Sequence, residues 1–446
     1  MITDNTLITK VNNWIKNSVT LKLAIITILM LLLLVPTIMI KGIIGEREKL
    51  SKLAIDEVSS KWADSQEING PILTIPLIYE SEQDGKITTT SRYWHLLPAN
   101  LNIDGEIEPE KLKRGIYEIV VYKSQLAISG DFDLSHQPDI ANLKEIKYDQ
   151  SFITIGISDL RGIKNQINFR WDGQNLNVKP GSKISELAYS GVTVDLPGLG
   201  DKINNNLDFD FSLKLHGSKN ISFIPAGGKT TVSISSSWPS PSFNGNFLPD
   251  EREISKEGFN ANWQILQLNR NFPQSWVETD QGIKMKEAAF GVDLILPLDD
   301  YQKSMRSAKY AVMTIALTFL VFFLVEILNK RKIHPFQYIL VGLALCLFYI
   351  LLVAITEHTN FNFAFVLSSL AIISMVSLYS LSIFKDGKLT SLLLTTLSGI
   401  YGFLFITLQL ADYALLMGSI GLSLILGTTM YFTRKINWYK LNIKTE

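Results

Sequence analysis

The chain has 446 residues with 42 basic and 42 acidic side chains, so its formal net charge is zero, and 47% of its residues are apolar. A balanced charge gives no reason to expect a nucleic acid partner. The single cysteine, Cys346, excludes a disulfide framework and any metal site built on thiolate pairs.

The N-terminal leader, residues 1–22, carries Lys10, Lys16 and Lys22 against Asp4. An apolar stretch follows over 23–40. Its length, its Pro36 and the lack of a small-x-small cleavage site predict an uncleaved anchor helix, not a signal peptide. Over 43–62, Leu50, Leu53, Ala54, Val58 and Trp62 share one helical face, which predicts a stalk that continues the anchor until Asn69-Gly70-Pro71 stops it.

From 70 to 298 the period becomes two. Leu207, Phe209, Phe211, Leu213 and Leu215 alternate with Asp208, Asp210, Ser212, Lys214 and His216, the pattern of a half-buried strand. Ile153/Ile155/Ile157, Ile167/Phe169/Trp171, Val192/Val194/Leu196 and Val232/Ile234 repeat it more briefly. Asp172-Gly173, Lys179-Pro180-Gly181 and Gly227-Gly228 are turn signals, the last read as a hairpin turn. Many strands with little helix between them predict an antiparallel sandwich or a pair of sandwiches.

Ala226–Thr231, AGGKTT, imitates a phosphate-binding loop, but Phe223 stands where that loop needs its first glycine. His95, His136, His216, His334 and His358 show no ligand spacing, and neither HExxH nor GxSxG occurs. No catalytic residue, metal ligand or cofactor is therefore expected. In WPSPSFNGNFLP, Trp238 and Phe243 belong to a rigid aromatic loop. It is either a partner surface or, the preferred reading, a plug at the end of the sandwich.

Helix returns at Asp299-Asp300 and runs into five further apolar spans across 309–432: about 310–328, 338–355, 363–384, 392–410 and 413–432, with a tail at 433–446. Each span matches a hydrocarbon layer about 30 Å thick. The connections alternate in basic content. Lys330, Arg331 and Lys332, then Lys385 and Lys388, then Arg434, Lys435, Lys440 and Lys444 lie on one level with the basic leader. The connections at 357–362 and around Asp412 have neither Lys nor Arg. The positive-inside rule then puts both termini in the cytoplasm and residues 41–308 on the other side. The expected architecture is a multi-pass α-helical membrane protein of six spans, with a large β-rich domain inserted between spans 1 and 2.

Ionisable residues at span ends are the candidate functional positions: Glu326, His334, Glu357, His358 and Asp412. Glu326 precedes Lys330 by four residues, which predicts a local helix pair. His334-Pro335 opens the third span, where Pro335 suits the first turn. Glu357 and His358 close it about 35 Å away, so the inner and outer groups cannot share one site. Anchoring and capping are the expected roles, with Glu357 and His358 meeting the β domain. Ser398 and Gly402, and Ser419, Ser423 and Gly427, form small-residue faces expected to pack helices together.

Several longer motifs then bear on kinship: Lys309 to Thr359, GPILTIP (Gly70 to Pro76), RGIYEIVVY (Arg114 to Tyr122), SDLRGIK (Ser158 to Lys164), SWPSPSFNGNFLP (Ser237 to Pro249) and GFNANW (Gly258 to Trp263). In these the chain closely resembles the inner-membrane protein CreD family, the cell envelope integrity proteins, over essentially its whole length. The resemblance implies a bacterial inner-membrane protein whose large domain is periplasmic. It further implies a link to the CreBC two-component system and a role in envelope integrity or stress response. It brings no catalytic residue, ligand or cofactor. The function expected is non-enzymatic: a protein embedded in the lipid bilayer whose β domain binds an envelope or membrane partner. The alternative is transport or export of an envelope component.

Overall fold

The computed structural model describes residues 19–83, 86–135, 143–202, 206–278, 280–294, 300–329, 333–410 and 413–434. The chain divides into two compact units, Lys52–Pro297 and the combination of Met1–Ser51 with Leu298–Glu446.

The first unit is built on strands β1 (Gln66–Gln83), β2 (Lys86–Leu96), β3 (Asn100–Arg114), β4 (Tyr117–Asp133), β5 (Leu143–Ile146) and β6 (Phe152–Ile157). There follow β7 (Phe169–Trp171), β8 (Gln174–Leu176), β9 (Val178–Pro180), β10 (Gly191–Asp195), β11 (Asn206–Ser218) and β12 (Asn220–Phe223). The last are β13 (Lys229–Ser236), β14 (Pro241–Gly245), β15 (Glu251–Ile254), β16 (Phe259–Leu266), β17 (Ser275–Val277) and β18 (Phe290–Leu294). One sheet runs β14-β18-β12-β1-β6-β10-β9, with β2 and β5 also pairing β1 and β17 pairing β2. The other runs β15-β16-β13-β3-β4-β11-β7-β8. Ile68, Leu73 and Ile155 of the first sheet and Leu101, Leu126 and Leu213 of the second belong to one continuous core. Two sheets over a shared core make a sandwich.

The strand β11 alternates buried and exposed residues, as its period requires. By contrast β6 is buried at every position, because it lies inside its sheet and is covered on both faces. Two pairings break the antiparallel rule expected from sequence: β1 with β12 and β3 with β13 are parallel. Between β12 and β13 the chain passes from the first sheet to the second. Gly227-Gly228 lies on that passage and is not a hairpin turn. A side chain on Gly227 would collide with the Lys229 carbonyl and with Leu101. Asp172-Gly173 does close a two-residue hairpin between β7 and β8, with φ of 47° and 75°. Asn69-Gly70-Pro71, expected to end the stalk, instead lies inside β1, and the helix ends earlier, at Trp62. The register of β1 against β6 shifts between Asn69 and Ile72, and such an irregularity accommodates a proline that has no N–H to donate.

The helices are α1 (Val19–Leu32), α2 (Leu34–Trp62), the short α3 (Gly282–Glu287), α4 (Asp300–Lys309), α5 (Ala311–Leu328) and α6 (Pro335–Thr356), then α7 (Phe361–Phe384), α8 (Gly387–Gln409) and α9 (Ala414–Thr433). The helical pattern breaks at Leu33 and resumes before Pro36, whose ring cannot donate to the preceding turn. Among the described residues, five helical stretches are long and apolar enough to cross a membrane: 20–62, α5, α6, α7 and α8. The last helix, α9, offers the shorter apolar run Leu416–Tyr431. Phe319, Leu345, Phe348, Phe365 and Leu397 fill the interior of this second unit. The small-residue faces do not do what their spacing predicts. Ser419, Ser423 and Gly427 line an open groove, and a side chain added at Gly402 or Gly427 would meet no atom within 4 Å. It is Gly421 that packs closely, against the ring of Phe403.

Candidate functional site

Among the described residues the helical unit buries one carboxylate. Glu326, in the last turn of α5, is 1% exposed and forms an ion pair with Lys22 of α1. Its Oε1 also accepts the Ile333 N–H at 3.0 Å, and its Oε2 accepts the Tyr338 hydroxyl at 3.1 Å. The ring of Tyr338 is fixed edge-on against Phe319 at 5.4 Å and tilted against Phe322 at 5.9 Å. The local pair with Lys330 expected from sequence falls on a residue outside the described ones; the cation described at Glu326 is Lys22. A carboxylate removed from water requires an ion partner and hydrogen bonds on both oxygens. The cluster joins α1, α5 and the start of α6.

The other candidates separate. His334 is the N-cap of α6: its Nδ1 accepts the Phe336 N–H at 3.2 Å, while Gln337 Oε1 accepts the His334 N–H at 2.9 Å. Pro335 takes the first helical position. His334 is exposed and makes no part of the Glu326 cluster. At the far end of α6, Glu357 lies 3.6 Å from Arg47 of α2 and accepts the Tyr301 hydroxyl of α4 at 3.3 Å. His358 is exposed. Asp412 lies outside the described residues. Trp238 is 7% exposed and donates Nε1–H to the Ser240 carbonyl at 3.1 Å. Phe243 packs edge-on against Phe259 and Trp263 at 5.6 and 5.7 Å. Trp238 belongs to the core of the sandwich, and Phe243, half-buried, packs against it.

A cluster missed at the level of sequence surrounds the last turns of α2. The segment Ser158–Lys164 supplies a 3₁₀ turn capped by Asp159. The Asp159 carboxylate accepts Arg161 Nε at 2.8 Å and Nη2 at 2.6 Å, together with the Asp64 N–H at 2.9 Å. Hydrogen bonds from Arg161 are the first cause that holds its pKa down to about 2, against opposing desolvation. Arg161 in turn donates to the Ser60 carbonyl, in the final turn of α2. Gln66 donates to the carbonyls of Asp159 at 3.0 Å and His216 at 2.9 Å, and Trp62 stacks on His216 at 4.6 Å. Lys219 with Asp56 at 2.8 Å and Arg114 with Glu57 at 2.7 Å complete a clamp on the helix end. The signal was present as the SDLRGIK motif, but its partners are scattered from 56 to 219.

Among the described residues no group of three or more His, Cys, Asp or Glu side chains is placed to hold a metal. An apolar cavity of about 390 Å³ lies between α5, α8 and α9, lined by Leu317, Leu324, Ile400 and Leu424 with Asn329 and Thr428 among the few polar groups.

Two comparisons bear on kinship. The family model described as "Inner membrane protein CreD" matches residues 18–439. The chain is 35% identical over 419 residues to the inner membrane protein CreD of Escherichia coli (strain K12), covering 93% of this chain and 92% of that protein. The chain belongs to the CreD family of inner membrane proteins.

Proposed function

We propose that this protein serves the integrity of the cell envelope without catalysing a reaction, through binding of an envelope or membrane partner by its β domain. In this reading it crosses the inner membrane six times, with both termini in the cytoplasm and residues 41–308 in the periplasm. The observation that carries it is the alternation of basic and non-basic connections. Lys and Arg cluster in the leader, at 330–332, at 385–388 and in the tail, and are absent from the two connections between them. The large sandwich then faces the envelope, joined to the spans by α2. With the link to the CreBC two-component system that the resemblance implies, a sensory or regulatory accessory would be a form of the same function.

In-cell crosslinking of the β domain followed by mass spectrometry tests the binding part, and a reproducible envelope partner is expected. Topology is tested by single cysteines labelled with a membrane-impermeant reagent in spheroplasts. Positions 215–219 should react and positions 383–390 should not; the reverse pattern overturns the orientation. The apolar cavity between α5, α8 and α9 favours one second reading, export or transport of a lipid-like envelope component, which would need no charged site in mid-membrane. Accumulation of such a component in a deletion strain would select it.

A further inference from the structure

The β domain carries a second cavity, of about 380 Å³, between β1, β6, the segment 185–190 and α3. It is walled by groups whose hydrogen-bonding capacity the fold does not use. Asn69 is 6% exposed; its Nδ2 donates to the Leu187 carbonyl at 2.8 Å, and its Oδ1 has no partner. Glu67, two residues earlier on β1, is half-buried and its carboxylate meets no donor among the described residues, while its backbone N–H goes to Ser158 Oγ at 2.8 Å. Native proteins rarely leave a buried acceptor idle, because desolvating it without a partner is costly. Glu186, Ser185, Ser190 and Lys286 add further acceptors and donors around the same space. At its edge stand two large side chains in water, Tyr189 at 95% and Ile283 at 70% exposure.

The chemistry of this lining narrows the ligand. Burial raises the Glu67 pKa while the charge of Lys286 opposes that rise, so the carboxylate already feels a positive charge from the protein. The cavity does not call for a strongly cationic guest. What it offers is a mixed set of acceptors and donors beside an exposed aromatic face. A polyhydroxylated ring satisfies both, with hydroxyls that donate and accept and an apolar C–H face that lies on tyrosine. We infer that this cavity is a saccharide-binding site, with Glu67 and Asn69 as the hydroxyl acceptors and Tyr189 as the platform. The inference rests on the reading of the β domain as the binding part of the protein, and it names the ligand class.

The test uses the full chain purified in detergent and isothermal titration with two soluble probes, an N-acetylglucosamine trimer and maltotriose. Saturable binding of at least one is expected. Tyr189→Ala and Glu67→Gln should each weaken it at least tenfold, whereas Ser233→Ala, on the other sheet, should leave it unchanged. Tyr189 is so exposed that its loss cannot act through the fold. Absence of saturable binding to folded wild-type protein, or equal binding by wild type and both cavity variants, overturns the site. So does binding of spermidine in place of the sugars, which would make the guest a cation. In-cell crosslinking of Tyr189→Ala separates the two levels. Partner crosslinks that persist while no sugar binds leave the β domain's binding role standing and remove the saccharide site. Loss of every crosslink in wild type itself removes the broader role.

Discussion

Two carboxylates, one in each unit, hold the ends of helices in opposite surroundings. Glu326 is 1% exposed in a unit that exposes many leucine and isoleucine side chains, and it gathers a lysine, a phenol and a backbone N–H. Asp159 keeps 11% of its side chain in water and gathers an arginine and two backbone N–H groups. The number of donors is similar, but the consequence of losing one is not. Water can replace a missing donor at Asp159. At Glu326 it cannot, so the whole desolvation cost reappears as instability. The same chemistry is therefore adjustable at the root of the β domain and close to obligatory among the helices.

The sharpest way to break this comparison is Glu326→Gln. It leaves the part-buried Lys22 ammonium facing a neutral amide; with 20% of the Lys22 side chain in water the expected loss is about 2–3 kcal/mol, below that of a fully buried pair. Thermal unfolding of the detergent-solubilised variant should show a large loss. Adding Lys22→Met should restore part of it, since the orphaned charge is then gone. A Glu326→Gln protein as stable as wild type would mean that the pair is solvated after all.

A titration sharpens the contrast from the other side. His95 is buried beside Trp276, its Nδ1 lies 3.0 Å from Thr74 Oγ1, and burial lowers its pKa to about 4. Among the described residues no opposite charge favours its protonated form. The unfolded chain takes up this proton near pH 6.5, so between there and pH 4 the unfolded state holds more protons than the folded one. Stability is therefore full above about pH 6.5 and falls as the pH is lowered, by about 2 kcal/mol between pH 7 and pH 5. His95→Phe should unfold with a visibly flatter pH dependence than wild type over that window. Parallel curves would mean that the imidazole is protonated in the folded state.

The clamp is the third test. Asp159→Asn keeps an acceptor for the Asp64 N–H but releases the guanidinium of Arg161. Because Arg161 is largely in water, the expected loss is about 1 kcal/mol. Its sign would be faster proteolysis near residues 60–64, ahead of any change in global unfolding. Gly162→Ala, which would drive a methyl group into Gln66 and the His216 carbonyl, should reproduce that cleavage more strongly.

What could be read from sequence follows from range. The alternation over β11 is a local property and it reports one buried face, so the strand was legible. The burial of β6 on both faces depends on which strands flank it, and a triad of isoleucines does not carry that information. The capping of α6 by His334 and Pro335 lies within four residues and was visible for the same reason. The lysine that pairs with Glu326 is 304 residues away in the chain, a separation that no local spacing rule reaches. Gly227-Gly228 carries an ordinary turn signal, and only the sheet topology shows that it is a crossing between sheets. The clamp is the most instructive miss. SDLRGIK was recognisable as a motif, yet its meaning lies in Ser60, Asp64 and Gln66, to which it bonds across about a hundred positions.

The smallest effect is expected at the outer end of α6. Glu357 keeps 12% of its side chain exposed and Arg47, 3.6 Å away, keeps 47%, so the pair sits between the two extremes. An ion pair in such a setting contributes about 0.2–1 kcal/mol, and the Tyr301 hydroxyl adds a single long hydrogen bond at 3.3 Å. Glu357→Ala should therefore lower the unfolding midpoint slightly, and high salt should remove most of the difference between variant and wild type. His358 has an exposed side chain, so adding His358→Ala should change nothing further. The sequence pattern gave these two residues a joint role in holding the β domain, and limited proteolysis on intact spheroplasts separates that role from the local one. Increased cleavage within residues 66–294 only when both are replaced supports joint docking. A small salt-sensitive loss from Glu357→Ala alone, with wild-type cleavage, confines Glu357 to bracing α2 and α4 against α6.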